Sequence, residues 1–118
     1  MRRLTKHLSE PWFSLVYVGA KRFEGRLGNN SDFRAAAVGT EVEWYNDDMG
    51  KRRTVLTRIT GKSEHASFRE MLTAKGVGRT LPTVSTVVHG EQVYERFYPR
   101  DKQREHGVLC LRIKVIDK

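Results

Sequence analysis

Gly19-Ala20-Lys21-Arg22-Phe23-Glu24-Gly25-Arg26-Leu27 is the stretch on which the fold turns. Upstream, Trp12, Leu15, Val16 and Gly19 recur at i, i+3, i+4 and i+7, the spacing of one buried helical stripe, and Gly19 is the residue type that most readily closes a helix. Downstream, Phe23 to Leu27 predicts a short strand. A helix that ends in glycine and passes at once into a strand carrying Lys21, Glu24 and Arg26 puts charged side chains at a junction, which in a small domain points to a cleft.

Working outward, Leu4 to Leu8 reads as a first strand and Ser9 as the cap of the helix, with Pro11 in its first turn, where a missing N–H costs little. Gly28 to Asp32 is dense in turn formers, and Phe33 to Val38 stays open between a loose turn and a helical scrap. Glu41 to Tyr45 alternates, Asn46 to Gly50 turns the chain, and Thr54 to Thr60 alternates again with Val55, Thr57 and Ile59 on one face: a hairpin. Ser67 followed by Glu70 forms a capping box for a second helix, with Phe68, Met71 and Leu72 inward and Gly76 closing it. Gly78 to Pro82 reads as a connector.

Val93, Tyr94 and Phe97 suggest the inner stripe of a third, short helix stopped near Pro99, and the wholly polar Arg100 to His106 a solvated turn or helical end. Leu109, Leu111, Ile113 and Val115 alternate with Cys110, Arg112 and Lys114, the pattern of a strand with one buried face. Five or six strands with two to three short helices set between antiparallel neighbours predict an α+β fold with a small curled sheet or barrel.

A chain of 118 residues predicts one domain, residues 1–118, with room for a single pocket. Lys and Arg number 22 against 14 Asp and Glu, a net charge of +8, so the surrounding field concentrates anionic partners, nucleic acid first among them. No apolar run approaches the ~20 residues of a membrane helix, and no apolar segment follows Met1-Arg2-Arg3, so an intracellular, cytoplasmic protein is expected with no membrane partner. Cys110 stands alone, which excludes an internal disulfide and a thiolate zinc cluster. His65, His89 and His106 lack metal-ligand spacing, and neither a calcium loop, a nucleophile elbow nor a phosphate or dinucleotide loop is present; no metal or cofactor is expected.

Lys21 is the first candidate for chemistry, because a lysine in a partly dry corner loses basicity through desolvation and approaches general-base use. Glu24 and Arg26 share a strand face, whereas Lys21 joins them only if it lies in the turn ahead of the strand. Tyr94 and Tyr98, four apart, could stack a base, although Tyr94 also fits the core. His7 and Ser9 could form a pocket wall or a plain cap. Glu70 already has a structural task in its capping box. Arg2, Arg3 and Lys6, then Lys51, Arg52 and Arg53, then Arg96, Arg100, Lys102 and Arg104 would make a phosphate-tracking surface if they converge, with Trp44 and Tyr45 to stack.

The ordered set His7-Leu8-Ser9-Glu10-Pro11-Trp12, Gly19-x-Lys21-x-x-Glu24-Gly25-Arg26-Leu27, Ser67 to Leu72, Leu81-Pro82, Tyr94 to Pro99 and Gly107-Val108-Leu109 resembles the activating signal cointegrator homology (ASCH) domain over nearly the whole chain. The resemblance implies a barrel similar to the pseudouridine synthase and archaeosine transglycosylase (PUA) domain and an RNA-related role. One relative is an amidohydrolase that removes the acetyl group of N4-acetylcytidine, and others are described as ribonucleases. In the amidohydrolase pattern Lys21 matches the lysine and Arg26 an arginine, but Glu24 stands where that enzyme has threonine, so the hydroxyl nucleophile is missing there. The glutamate supplied from further along the chain aligns with either Glu70 or Glu64.

The expected function is therefore binding of RNA or a modified nucleoside in a basic cleft. Arg26, Trp12, Tyr94, His7 and Ser9 would contact the substrate, and Lys51, Arg52, Arg53 and Arg100 the nucleic-acid backbone. The alternatives are a hydrolase of N4-acylated cytidine or cytosine worked by Lys21, Glu24 and Glu70, a ribonuclease, or a protein-interaction adaptor.

Overall fold

The computed structural model describes residues 3–118, so Arg2 of the basic N-terminal group lies outside the described residues. The elements run β1 (Leu4–His7), α1 (Trp12–Tyr17), β2 (Phe23–Leu27), α2 (Ser31–Ala35), β3 (Glu41–Asn46), β4 (Arg53–His65), α3 (Phe68–Lys75), α4 (Val77–Thr80), α5 (Val87–Glu95), α6 (Arg100–His106) and β5 (Val108–Asp117). The five strands form one sheet in the order β1-β3-β4-β5-β2, with β1 parallel to β3 and every other pair antiparallel. The first two strands of the chain thus stand at opposite edges, and α1 carries the chain from one edge to the other. β4 bends at two irregularities, between Leu56 and Thr57 and between Ile59 and Gly61, which curl the sheet into a half-barrel. The α+β class and the barrel-like sheet are those expected of the sequence.

Alternation along the strands sorts the apolar residues into two clusters. Val42, Trp44, Val55, Ile59, Leu109 and Leu111 pack with Phe13, Val16 and Phe33 on one face of the sheet. On the other, Phe23, Val108 and Cys110 meet Phe68, Met71 and Leu72 of α3 and Val93 and Tyr94 of α5. The first half of β5 is therefore buried on both faces, not on the one that its alternation suggests. α3 covers it, a tertiary partner that a strand pattern does not report.

Local differences from the sequence reading have physical causes. Glu10, not Ser9, caps α1: the Ser14 N–H donates to Glu10 Oε1 at 2.9 Å and the Ser14 hydroxyl to Oε2 at 2.6 Å. Ser9 contributes only its carbonyl, which accepts from the Phe13 N–H. The buried stripe of α1 is Phe13 and Val16, while Trp12 and Leu15 are half-buried.

Six short helices appear among the described residues, where the pattern suggests two to three. The additions are the short α2, α4 and α6. Polar α6 holds because Gln103 is buried, its amide oxygen accepting from the Phe68 N–H and its amide nitrogen donating to the Tyr98 carbonyl. α5 ends at Glu95, so Phe97 escapes the helical phase and is 57% exposed instead of lying on an inner stripe. No helix of the described residues is long and apolar enough to cross a membrane.

Candidate functional site

The site begins with the turn that joins α1 to β2. Gly19 takes a φ of +81°, and the N–H groups of Ala20 and Lys21 both donate to the Leu15 carbonyl, folding the chain back under the helix end. Lys21 consequently precedes the regular strand, and its side chain meets Glu24 in spite of strand alternation. Its ammonium donates to the Phe23 carbonyl at 2.7 Å and the Thr80 carbonyl at 2.5 Å and stands 3.4 Å from Glu24 Oε1. Glu24 Oε1 also accepts the Gly25 N–H at 3.0 Å, while Oε2 accepts from Arg26 Nη2 at 3.2 Å.

Lys21 and Glu24 are only 2% and 5% exposed, so the array Lys21–Glu24–Arg26 is a buried ion cluster with one more cation than anion. Burial pulls the Lys21 ammonium below its ordinary range, opposed by the Glu24 carboxylate. Burial alone would raise Glu24, but the charges of Lys21 and Arg26 outweigh it and hold the carboxyl below its usual value. The Arg26 guanidinium lies 5.5 Å from the ring centres of both Phe33 and Trp44, cation–π contacts that fix it from behind.

Above this cluster opens a cleft of about 330 Å³, within the size range of small-ligand sites. Trp12, Tyr94, Phe97 and Tyr98 supply its aromatic walls, Leu81 and Val93 its aliphatic lining, and His7 and Ser9, at and just after the end of β1, its rim. Phe68 holds the tyrosines in place, stacking on Tyr94 at 4.2 Å with an interplanar angle of 5° and on Tyr98 at 5.4 Å. Two buried polar donors at the cleft, Arg26 Nε and the Tyr94 hydroxyl, find no acceptor, although the Gly25 N–H lies beside the Tyr94 oxygen. Burial, then the Glu24 charge, pushes the Tyr94 phenol well above its usual value, so it remains a protonated donor at neutral pH.

The cleft brings together eight of the residues singled out in the sequence: Lys21, Glu24, Arg26, Trp12, Tyr94, Tyr98, His7 and Ser9. Glu70 is not among them. Its N–H donates to the Ser67 hydroxyl at 3.2 Å and its carboxylate accepts the Ala66 N–H at 3.1 Å, so the capping box occupies it on the exposed face of α3. Glu64 pairs with Arg34 at 2.7 Å, likewise outside the cleft.

Lys51, Arg52 and Arg53 border a separate hollow beside Phe13 and Tyr17. Arg52 pairs with Asp47, Arg53 with Glu10, and Arg100 with Glu95 and, at 3.6 Å, Glu91. Those basic residues do not converge on the cleft. Leu81 and Phe97 line it without having been named as site residues: Leu81 enters from the end of α4, and Phe97, read in the sequence as part of a buried helical stripe, lies beyond the end of α5. No group of three or more His, Cys, Asp or Glu side chains able to hold a metal occurs among the described residues.

No family model matches the chain, and no curated protein matches it by sequence. Solved structures do. The crystal structure of hypothetical protein PH0355 is 28% identical, with a TM-score of 0.85 over 98% of this chain and 100% of that one. The solution structure of protein PF0455 from Pyrococcus furiosus is 29% identical, with a TM-score of 0.78 over 99% and 100%. Protein EF3133 from Enterococcus faecalis V583, labelled DUF984, shares 10% identity at a TM-score of 0.70 over 97% and 76%, a likeness of fold alone. The small α+β half-barrel, consistent with a PUA-like barrel, is thus similar to other small proteins from end to end.

Proposed function

We propose that the chain is an ASCH-type module whose cleft receives one unpaired or modified nucleoside of an RNA. The observation that carries this reading is the pair of buried donors without an acceptor, Arg26 Nε and the Tyr94 hydroxyl, set among aromatic walls. A buried polar group without a partner is costly in an empty site and is relieved by a ligand that supplies acceptors. A nucleobase offers such acceptors at its edge and a flat face for Trp12, Tyr94 or Tyr98 to cover. The surplus cation beneath the cleft favours an electron-rich edge.

The hydrolase reading comes second. Burial lowers the basicity of Lys21, which favours it, but its three ammonium protons face the Phe23 carbonyl, the Thr80 carbonyl and Glu24, leaving no lone pair turned to a substrate. Titration of 15N-labelled protein with cytidine and N4-acetylcytidine tests both. Shifts confined to Trp12, Arg26 and Tyr94 without release of acetate support binding, release of acetate that Lys21→Ala abolishes supports the hydrolase, and the absence of either response overturns the cleft as a nucleoside site.

A further inference from the structure

Among the described residues, five cations without a carboxylate partner, Arg22, Lys75, Arg79, Arg112 and Lys114, lie around the open ends of β2 and β5, next to the cleft and apart from the basic residues that the sequence pattern brings forward. By the period of two, Cys110, Arg112 and Lys114 share one face of β5, and α3 covers only the Cys110 end. Across the ladder from Arg112 stand Phe23 and Gly61. Gly61 has no side chain, and a Cβ there would lie 3.4 Å from Arg112 Cβ, so the arginine stem lies beside the bare backbone while the residue remains exposed.

Lys75 and Arg79 extend over the Phe23 ring at 5.7 and 5.5 Å from its centre, and the Arg22 N–H donates to the Arg79 carbonyl at 2.8 Å, tying the two segments together. Two adjoining hollows of about 600 and 420 Å³ share Thr60 and Arg112 as a common wall. No Asp or Glu lines either hollow, and none of the described carboxylates forms an ion pair with Arg22, Lys75, Arg79, Arg112 or Lys114. By contrast Arg52, Arg53 and Arg100 are each held by a carboxylate. Lys21 belongs to the lining of both the cleft and the larger hollow, so the two lie on either side of one buried residue.

We propose that this face is a phosphodiester track: Arg22, Lys75, Arg79, Arg112 and Lys114 hold the backbone of an RNA strand, one nucleoside of which turns into the cleft beside Lys21. The proposal rests on the nucleoside reading of the cleft for the nature of the strand. Free cations at the edge of a concave surface, with the Thr60 and Ser63 hydroxyls among them, suit successive phosphates. An anionic membrane fits less well, because none of the large exposed apolar residues, Tyr17, Val18, Val38, Met49, Val88, Phe97 and Ile116, lines either hollow to insert among lipids.

The test is fluorescence anisotropy of a labelled single-stranded uridine dodecamer with the whole chain, between about 50 and 200 mM salt. Arg112→Glu/Lys114→Glu should weaken binding on the order of tenfold and flatten the salt dependence by about 0.7 for each phosphate no longer neutralised. Arg79→Gln should weaken it less, Arg52→Glu should leave it near wild type, and the nucleoside-induced shifts at Trp12 and Tyr94 should persist in the double variant. Wild-type affinity and salt slope in the folded double variant would overturn the track, as would an equal loss from Arg52→Glu. Binding to phosphatidylserine vesicles with the same dependence on Arg112 and Lys114, and none to the dodecamer, would overturn the strand as occupant. Strand binding that depends on Arg112 and Lys114 while no nucleoside shifts Trp12 or Tyr94 would bring down the cleft reading and leave the track standing.

Discussion

Lys21 Nζ and Glu24 Oε1 stand 3.4 Å apart in the interior, although strict strand alternation would send the two side chains to opposite faces. The turn after Gly19 reconciles them, and the lysine thereby links three segments: its own turn, the start of β2 and the end of α4 at Thr80. A substitution here acts on the fold as well as on the cleft.

Lys21→Met should cost roughly 3–5 kcal/mol, because it strands two carbonyls and a carboxylate away from water. Lys21→Met combined with Glu24→Gln should lose less than the sum of the two single losses, since both remove the same Lys21–Glu24 contact, while Arg26 is left without its carboxylate. Urea denaturation of wild type, Lys21→Met, Glu24→Gln and the double variant gives the coupling, and strictly additive losses would refute a linked pair.

Glu24 confers a specific acid sensitivity. Its carboxyl is held below the ordinary value of 4.5, so the folded state binds fewer protons than the unfolded chain on the acid side. Its contribution is complete above pH 4.5 and is lost as the pH falls below that value through the lowered folded-state value. Melting temperature measured from pH 7 downward should therefore drop more steeply for wild type than for Glu24→Gln.

Cys110 is 1% exposed, and burial pushes its thiol up from 9.0 to about 11. Thiolate absorbance should emerge near pH 11, and alkylation at pH 8 should be slow until the protein is unfolded with denaturant. Rapid alkylation of the native protein would contradict the packing of β5 under α3.

Tyr94→Phe removes a buried hydroxyl that finds no acceptor, so stability should hold or rise by about 1 kcal/mol, the reverse of the usual effect of truncating a core residue. Nucleoside affinity should fall in the same variant. A loss of stability with unchanged affinity would make the hydroxyl a structural group.

Gly25→Ala should destabilise by about 1–3 kcal/mol, because the added Cβ would come within 2.8 Å of Phe68 Cε1 and 2.9 Å of Met71 Sδ. Both side chains are fully buried, and Phe68 is stacked between ring neighbours, so the strain has little room to relax. Chemical denaturation gives the magnitude.

The sequence by itself determined what depends on neighbours along the chain. Period-two alternation located β3, the first part of β4 and β5, the capping box located α3 at Ser67, and the glycine after a helical stripe located the corner where Lys21, Glu24 and Arg26 gather. Eight of the cleft's residues were legible in the sequence, most from their place near that corner and Tyr94 and Tyr98 from their spacing of four, although Tyr98 lies beyond the end of α5.

Tertiary structure alone decided the rest. Anchoring of polar α6 depends on buried Gln103 reaching Phe68, 35 residues away, and the second buried face of β5 depends on α3. The neutralisation of Arg52, Arg53 and Arg100 depends on which carboxylates fold beside them, as does the lack, among the described residues, of a carboxylate in the hollows lined by Arg22, Arg79 and Arg112. Charge counted along a chain is a sum, whereas charge presented to a partner is set by distance in space, and only the folded sheet brings those side chains to their distances.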